Sequence, residues 1–402
     1  MAKILMATTE AVPFAKTGGL ADVCGRLPIE LTKLGHEVAV IMPAFRSVLR
    51  GEYDLELTGV EFEIPLGSHV IEGELLRGRL PGSDVPIYFV RNDDYFDRPH
   101  LYGEGGTDYR DNCQRFIYFA RAVLESLRHL EFDVELIHCN DWQTGLIPVY
   151  LNAEYRSARG YEEMATMMTI HNMAYQGRFW HWDMLLTGLD WKYFNSRELE
   201  FYGDLNFLKA GIVFADAITT VSPRYSEEIQ GPELGCGLEG VLRNRRSVLR
   251  GILNGVDYGV WNPRTDTFLP ANYGPDNWRS GKAQCKAALQ AHTGLKVDPQ
   301  TPLLGFVGRL AEQKGATFIA EIMRKWASHD DTQWVILGTG DPEVERRLTE
   351  AAQLMPGRAV VQIDFNERLA HQIEAASDMF LMPSRYEPCG LNQMYSLKYG
   401  AV

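Results

Sequence analysis

The sequence predicts an open α/β protein of two domains, each organised on a parallel sheet. Three observations carry that expectation. At 402 residues the chain is long for one hydrophobic core, so two domains are the natural division. Apolar runs of strand length recur in both halves and alternate with stretches of helical periodicity. The third observation is residues 301–315, where an apolar run ends at Gly308 and two cations, Arg309 and Lys314, follow in a loop closed by Gly315. Helical spacing then resumes with Phe318, Ile319, Ile322 and Met323. Strand, cationic loop and helix is how such a sheet holds an anionic group, although two loop cations are equally compatible with solvated surface charge.

Composition narrows the function. A net charge of −13 speaks against nucleic acid and against an anionic membrane surface, since both are bound by basic surfaces. Any anionic ligand must therefore be held by a few local cations. Thr8, Thr9 and Glu10 interrupt the opening residues too early for a signal peptide, and no apolar run approaches transmembrane length. Six cysteines without C-x-x-C pairing suggest neither zinc nor a disulfide framework. A cytoplasmic location is the expectation.

Residues 3–7 read as the first strand and 8–16 as a loop. Thr17-Gly18-Gly19-Leu20 leads into a helix whose Leu20, Val23, Leu27, Leu31 and Leu34 form one apolar face, with a kink at Pro28 and an end at Gly35. Residues 36–42 return as a second strand. This βαβ opening lacks G-x-G-x-x-G and is not a dinucleotide fingerprint. Gly18 and Gly19 can still offer backbone N–H groups to a phosphate, with Lys16 beside them, or form a flexible loop with a solvated lysine. Short strands follow at 60–64, 70–76 and 85–90, then a helix over 109–130. The strand at 134–139 ends in Asn140-Asp141-Trp142-Gln143 before a helix at 144–150, and the strand at 165–170 ends in His171-Asn172. In a parallel sheet these strand ends share one edge with Lys16 and the glycine pair, which favours a ligand site over a structural histidine. Residues 179–201 are rich in aromatics (Trp180, Trp182, Trp191, Tyr193, Phe194, Phe201); core packing is preferred to a carbohydrate-stacking face. A helix at 206–215, a strand at 217–221, a helix capped by Ser222-Pro223 and a strand at 247–253 follow.

Asn254-Gly255 and the irregular stretch to Pro275 mark the domain boundary, giving domains 1–254 and 255–402. A helix at 282–291 leads to strands at 303–307, 333–337, 359–363 and 379–382. Between them a helix at 342–353 is capped by Asp341 with Pro342 in the first turn. The last strand runs into Pro383-Ser384-Arg385-Tyr386-Glu387-Pro388-Cys389-Gly390-Leu391. Glu387 sits near a helix start, where the dipole favours a carboxylate able to accept hydrogen bonds from sugar hydroxyls.

Four stretches resemble the bacterial glycogen synthase and plant starch synthase family: Lys16-Thr17-Gly18-Gly19-Leu20-Ala21-Asp22, the T-I-H-N-M-A-Y-Q-G around His171, Gly308-Arg309-Leu310 with Gln313-Lys314-Gly315, and S-R-Y-E-P-C-G-L around Glu387. The resemblance implies a GT-B fold, two Rossmann-like domains facing across a cleft. It implies transfer of glucose from ADP-glucose to the non-reducing 4-hydroxyl of an α-1,4-glucan, with retention and without a cofactor. The first domain would serve the acceptor and the second the nucleotide sugar. On the same basis Arg309 and Lys314 hold the diphosphate, helped from the other wall by Lys16 and the Gly18 and Gly19 backbone. Glu387 binds donor glucose hydroxyls, and the His171 backbone carbonyl stabilises charge at the anomeric carbon. Asp22, Asp141 and Asn172 line the cleft, and Asn254 and Asp257 mark the interdomain crossing. Cys389, Gly390, Leu391 and Asn392 lie at the helix start near the distal phosphate, and Phe365 falls where a ring stacks on adenine.

The chain departs from the family pattern in three places. Tyr395 stands where broader relatives carry a second Glu. Asn140 and Gln143 replace histidines around the D-W motif. The chain ends at Val402 where the family continues, so the second domain is expected to lack its last strand and helices. No Asp-x-Asp pair suggests a metal site, since Asp93-Asp94 and Asp330-Asp331 are adjacent pairs without supporting ligands. Two other readings stand beside the glucosyltransferase: a truncated, catalytically impaired glucan or nucleotide-sugar binding protein, and a nicotinamide dehydrogenase, which the missing glycine fingerprint disfavours.

Overall fold

Among the residues described by this computed structural model, 1–328 and 332–402, nine strands join in one sheet within the first of two units, Met1–Asn254. They are β1 (Lys3–Ala7), β2 (Glu37–Pro43), β3 (Glu56–Leu66), β4 (His69–Arg79), β5 (Pro86–Arg91), β6 (Leu136–Asn140), β7 (Ala165–Ile170), β8 (Ala217–Thr220) and β9 (Leu249–Gly251). Their spatial order is β9-β8-β7-β6-β1-β2-β5-β4-β3. From β9 to β5 every pairing is parallel, whereas β4 runs antiparallel to β5 and β3. β1 reads Lys-Ile-Leu-Met-Ala and lies at the centre, with Leu5 between Ala39 and Ile137. A strand apolar on both faces is what a central parallel strand requires. The outer hairpin alternates instead: in β3, Phe62 and Ile64 are buried while Glu61 and Glu63 face solvent. The chain leaves β1 to β2 on one side and later returns to β6 on the other, so the sheet's topological switch point lies at the carboxyl end of β1.

Helix α1 (Gly19–Lys33) corrects the sequence reading. Its buried face is Leu20, Ala21, Cys24, Gly25, Pro28 and Ile29, and Leu34 is exposed beyond its end. Small residues allow close approach here: the Val12 N–H donates to Ala21 O, and a Cβ on Gly25 would stand 2.8 Å from Val12 O. Helix α2 (Asn112–Ser126) is shorter than expected, followed by a 3-10 turn at Leu127–His129. The helix expected at 144–150 is a 3-10 turn at Trp142–Thr144 and a short helix at Ile147–Tyr150. Helix α3 (Phe207–Phe214) starts at Asn206, whose side chain accepts the Lys209 N–H. The aromatic stretch 179–201 does not enter the core as a block. Leu199 and Phe201 are buried, but Trp180, Trp182 and Trp191 are exposed, so the expected core packing is overturned for the tryptophans.

The second unit, Gly255–Val402, carries β10 (Leu303–Val307), β11 (Gln333–Gly338), β12 (Ala359–Ile363) and β13 (Met379–Phe380), ordered β12-β11-β10-β13 and all parallel. Its helices are α4 (Trp278–His292), α5 (Ala316–Trp326), α6 (Pro342–Gln353), α7 (Glu367–Ala376) and α8 (Leu391–Tyr399). Alternation along the strands divides the core in two. Leu303, Val335 and Leu337 pack with Cys285 and Leu289 of α4 and Leu369 and Ile373 of α7. Leu304, Phe306 and Ile336 pack with Ile319 and Met323 of α5 and Val344 and Leu348 of α6. β13 is shorter than the expected 379–382, and Phe380 N–H donates to Val402 O. The stretch leading into this unit is held by Trp261, whose indole stacks on His371 at 3.8 Å and on Tyr395 at 4.0 Å. Asp266 fixes the same stretch, its Oδ2 lying 2.7 Å from His371 Nδ1 and 2.6 Å from Tyr399 OH. Tyr395 is thus a core residue of this packing. Asp330 and Asp331 lie outside the described residues.

Candidate active site

In the first unit, functional side chains gather at the carboxyl edge of β1, β6 and β7. After β1 the chain buries Thr8, Thr9 and Glu10. The Glu10 carboxylate accepts Thr17 N–H at 2.5 Å, Thr17 Oγ1–H at 2.6 Å, Gly18 N–H at 3.3 Å and Tyr102 O–H at 2.8 Å. Burial still raises this carboxyl above the usual carboxylate range, although each of those donors opposes the rise. The Gly18 amide, expected to serve a phosphate, therefore already has an internal anion. Lys16 pairs with Asp22 in the first turn of α1 at 2.7 Å, both side chains about one quarter exposed.

Asp141 follows β6 at φ 57° and ψ −178°, a positive-φ extended conformation that costs a non-glycine residue roughly 1–3 kcal/mol. Its carboxylate accepts the His171 N–H at 2.7 Å and also the Asn172 N–H, so the turn after β7 is held by the turn after β6. Burial pushes the Asp141 carboxyl up to about 7, with Glu10 nearby adding to the rise. Burial drives the His171 imidazole down to about 3, helped by His138, which is itself lowered to about 4. His171 is neutral at any working pH, and its tautomer follows from its neighbour. Asn140 Nδ2 donates to Ala7 O and His138 O, so Oδ1 is the group that meets His171 Nε2 at 3.0 Å. Nε2 carries the proton and Nδ1 is the acceptor. Asn172 turns back on itself, its Oδ1 accepting the Ala174 N–H.

In the second unit, the loop after β10 and the loop after β13 are joined. Lys314 Nζ lies 2.6 Å from Glu387 Oε1, which also accepts Ser384 Oγ–H at 2.7 Å. Arg309 Nη2 donates to Gln313 Oε1 at 3.4 Å, and Arg385 N–H donates to Gln313 O at 2.9 Å. Gly315 makes this contact possible. It has φ +68°, and a Cβ there would stand 2.1 Å from Pro383 O. Gly390, at φ +81°, heads α8, and Asn392 in the first turn donates to Val307 O at 2.8 Å. Leu391 and Cys389 are half-buried beside it, and Phe365 stands exposed just past the end of β12.

Residues 3–244 match the family described as starch synthase catalytic domain, and residues 290–401 match glycosyl transferases group 1. A glycogen synthase from Rhodopirellula baltica is 48% identical over 99% of this chain and 80% of its own length. A glycogen synthase from Syntrophotalea carbinolica is 46% identical over 99% of this chain and 82% of its own. The chain belongs to the glycogen and starch synthase family. Its fold is GT-B: the catalytic domain of starch synthase IV from Arabidopsis thaliana, solved with ADP and acarbose, superposes with a TM-score of 0.91 at 31% identity, covering 100% of this chain and 82% of that one.

Within this family member, the first unit brings together Lys16, Gly18, Gly19 and Asp22 with Asp141, His171 and Asn172, with Glu10 near both groups. The second unit brings together Arg309, Lys314, Glu387 and the start of α8. Asn254 ends the first unit, its N–H on Val221 O, and Asp257 lies in the second, its Oδ1 accepting the Gly259 N–H. Sequence reasoning missed Glu10, Tyr102 and Ser384 and treated Asn140 only as a lost histidine. Thr8-Thr9-Glu10, a polar run straight after the first strand, is the signal that marked Glu10. No helix among the described residues is long and apolar enough to cross a membrane.

Proposed function

We propose that this chain moves glucose from ADP-glucose to the non-reducing 4-hydroxyl end of an α-1,4-glucan, with retention of configuration, in the cytoplasm. Residues 1–254 act as the acceptor-side domain and residues 255–402 as the nucleotide-sugar domain. One observation carries the reading: in a chain of this family, Lys314 and Glu387 meet at 2.6 Å beside the start of α8, a cation for the diphosphate next to a carboxylate for sugar hydroxyls. The names of the relatives, and the Arabidopsis enzyme's ADP and acarbose, support the same donor and a glucan acceptor.

In the reaction the bond from C1 to the diphosphate breaks, a bond from C1 to the acceptor oxygen forms, and the hydroxyl proton leaves on ADP. Negative charge builds on the departing diphosphate while the sugar becomes oxocarbenium-like. In the second unit Arg309, Lys314 and the N-terminus of α8, with Gly390, Leu391 and Asn392, stabilise that negative charge. The His171 side chain is neutral and cannot act as an acid. Its Nδ1 accepts a hydrogen bond from a donor-sugar hydroxyl, and its backbone carbonyl, positioned through Asp141, faces the anomeric carbon. In the first unit Asp22 orients Lys16, and Asn172 and Asn254 line that half-site; Asp257 and Cys389 line that of the second unit. Phe365 stacks on the adenine.

Incubation with ADP-[14C]glucose and glycogen tests the proposal. Incorporation that Lys314→Ala or Glu387→Ala abolishes is the expected result. Glucan binding by the wild-type chain without incorporation would overturn it in favour of a binding protein.

A further inference from the structure

We propose that the exposed tryptophans of residues 180–191 form a glucan-docking platform that leads the acceptor chain to the first unit's half-site. The proposal rests on the α-glucan acceptor inferred above. Trp180, Trp182 and Trp191 are 62, 49 and 42% exposed, an unusual concentration of indole on a surface. Their rings are neighbours without being stacked face to face: Trp180 and Trp182 lie 6.4 Å apart at 64°, and Trp182 and Trp191 lie 5.7 Å apart at 76°. Edges and faces meet within the cluster, and Phe194 packs on Trp191, but each indole keeps at least two fifths of its surface open to a ligand.

The platform is continuous with the half-site. The chain runs from His171 to Gly177, which lies so close to Trp142 that a Cβ would stand 2.2 Å from the indole. Phe179 then packs on Trp142 at 5.8 Å and on Phe207 at 4.8 Å, and Trp142 directly follows Asp141. Trp180, the first indole of the platform, is the next residue.

The chemistry selects the occupant. The chain carries a net charge of −13, so an anionic polymer is disfavoured. A pyranose offers a C–H face that stacks on an indole, and carries no charge to be repelled. Among neutral polymers the α-1,4-glucan is the one the proposed reaction already brings to this half-site.

The test uses Trp180→Ala, Trp182→Ala and Trp191→Ala in the full-length chain. Stacking lost at one ring is expected to raise KM for glycogen about tenfold, and to weaken retardation in glycogen-containing native gels. The kcat/KM for maltotriose, too short to span the platform, stays within about twofold. Unchanged glycogen KM and gel mobility in all three variants overturn the proposal. So does an equal loss with maltotriose, which would make the rings part of the reacting site. A change of mass in light scattering with unchanged glycogen KM also overturns it, in favour of a contact between copies. If the wild-type chain incorporates no glucose, the assigned reaction fails, while the gel retardation still decides the platform.

Discussion

Replacing Gly315 with alanine should cost this chain stability and turnover together. Gly315 has φ +68°, and a Cβ would stand 2.1 Å from Pro383 O, where ordinary contact begins at 3.4 Å. The left-handed conformation alone costs alanine about 1–2 kcal/mol. The carbonyl must also retreat by about 1.3 Å, an overpacking that adds roughly 1–3 kcal/mol. Both effects fall on the Lys314–Glu387 pair, because Lys314 precedes Gly315 and Pro383 begins the loop that carries Glu387. A shift near 1 Å in a reacting arrangement costs on the order of 100-fold in rate, so kcat/KM for ADP-glucose should fall by about that factor. The melting temperature of the second unit should drop by roughly 5–10 °C. Two variants separate the causes. Gly315→Asn relieves part of the conformational cost but keeps the Cβ, so its activity should match that of Gly315→Ala. Gly294→Ala, at φ +73° with nothing within 4 Å, should lose stability and keep its activity. Glucose incorporation into glycogen and thermal unfolding measure both quantities. Gly315→Ala activity within twofold of wild type, or an equal activity loss in Gly294→Ala, would refute the reasoning.

Three further predictions follow from the same structure. Lys314→Met should lower kcat about 100- to 1000-fold, and adding Glu387→Gln should lower it by less than the product of the two single effects, because the residues are paired; fully multiplicative losses would separate their roles. EDTA should leave the rate unchanged, because the proposed reaction takes the positive charge at the leaving group from side chains, Arg309 and Lys314; a large loss restored by a divalent cation would contradict this. Burial lowers His138 to about 4 and His171 to about 3, so the unfolded chain binds protons below pH 6.5 that the folded chain refuses. Stability present above pH 6.5 should be lost as pH falls toward 3, by up to about 1.4 kcal/mol per pH unit for each histidine. Asp141, raised to about 7, Glu374, raised to about 8, and Glu10, raised by burial, run oppositely, losing stability as pH rises above about 4, so the histidine share is read from the difference between variant and wild type. His138→Gln should therefore flatten the acid limb of urea midpoints measured from pH 7 to 4; an unchanged slope would show that the histidine is not the cause.

The second unit was legible because its signals are local. An apolar run ending in Gly308 and cations needs no distant information to be read as a strand and a binding loop, and the motif around Glu387 reads the same way. The joining of the two loops was not legible, since Lys314 and Glu387 are 73 residues apart. Helix α1 was misread because Ala21, Cys24 and Gly25 are buried through small size and close backbone approach, which a hydrophobic stripe does not register. Glu10 escaped notice because its partners include Tyr102, 92 residues away. In 179–201, composition identifies the aromatics but not which side of the surface they occupy: Phe179 turns inward onto Trp142 and Trp180 turns out.

The cations assigned to the diphosphate rest beside carboxylates: Lys16 on Asp22 and Lys314 on Glu387. A ligand anion must exchange partners with an internal carboxylate, so binding is a contest between charges of the same sign. A weakly charged anion gains little from that exchange, whereas a diphosphate bound as proposed in the second unit would gain at Arg309, at Lys314 and at the start of α8. On the proposed assignment, the resting pairs set a threshold that a single phosphate or carboxylate meets less easily than a nucleotide sugar's diphosphate.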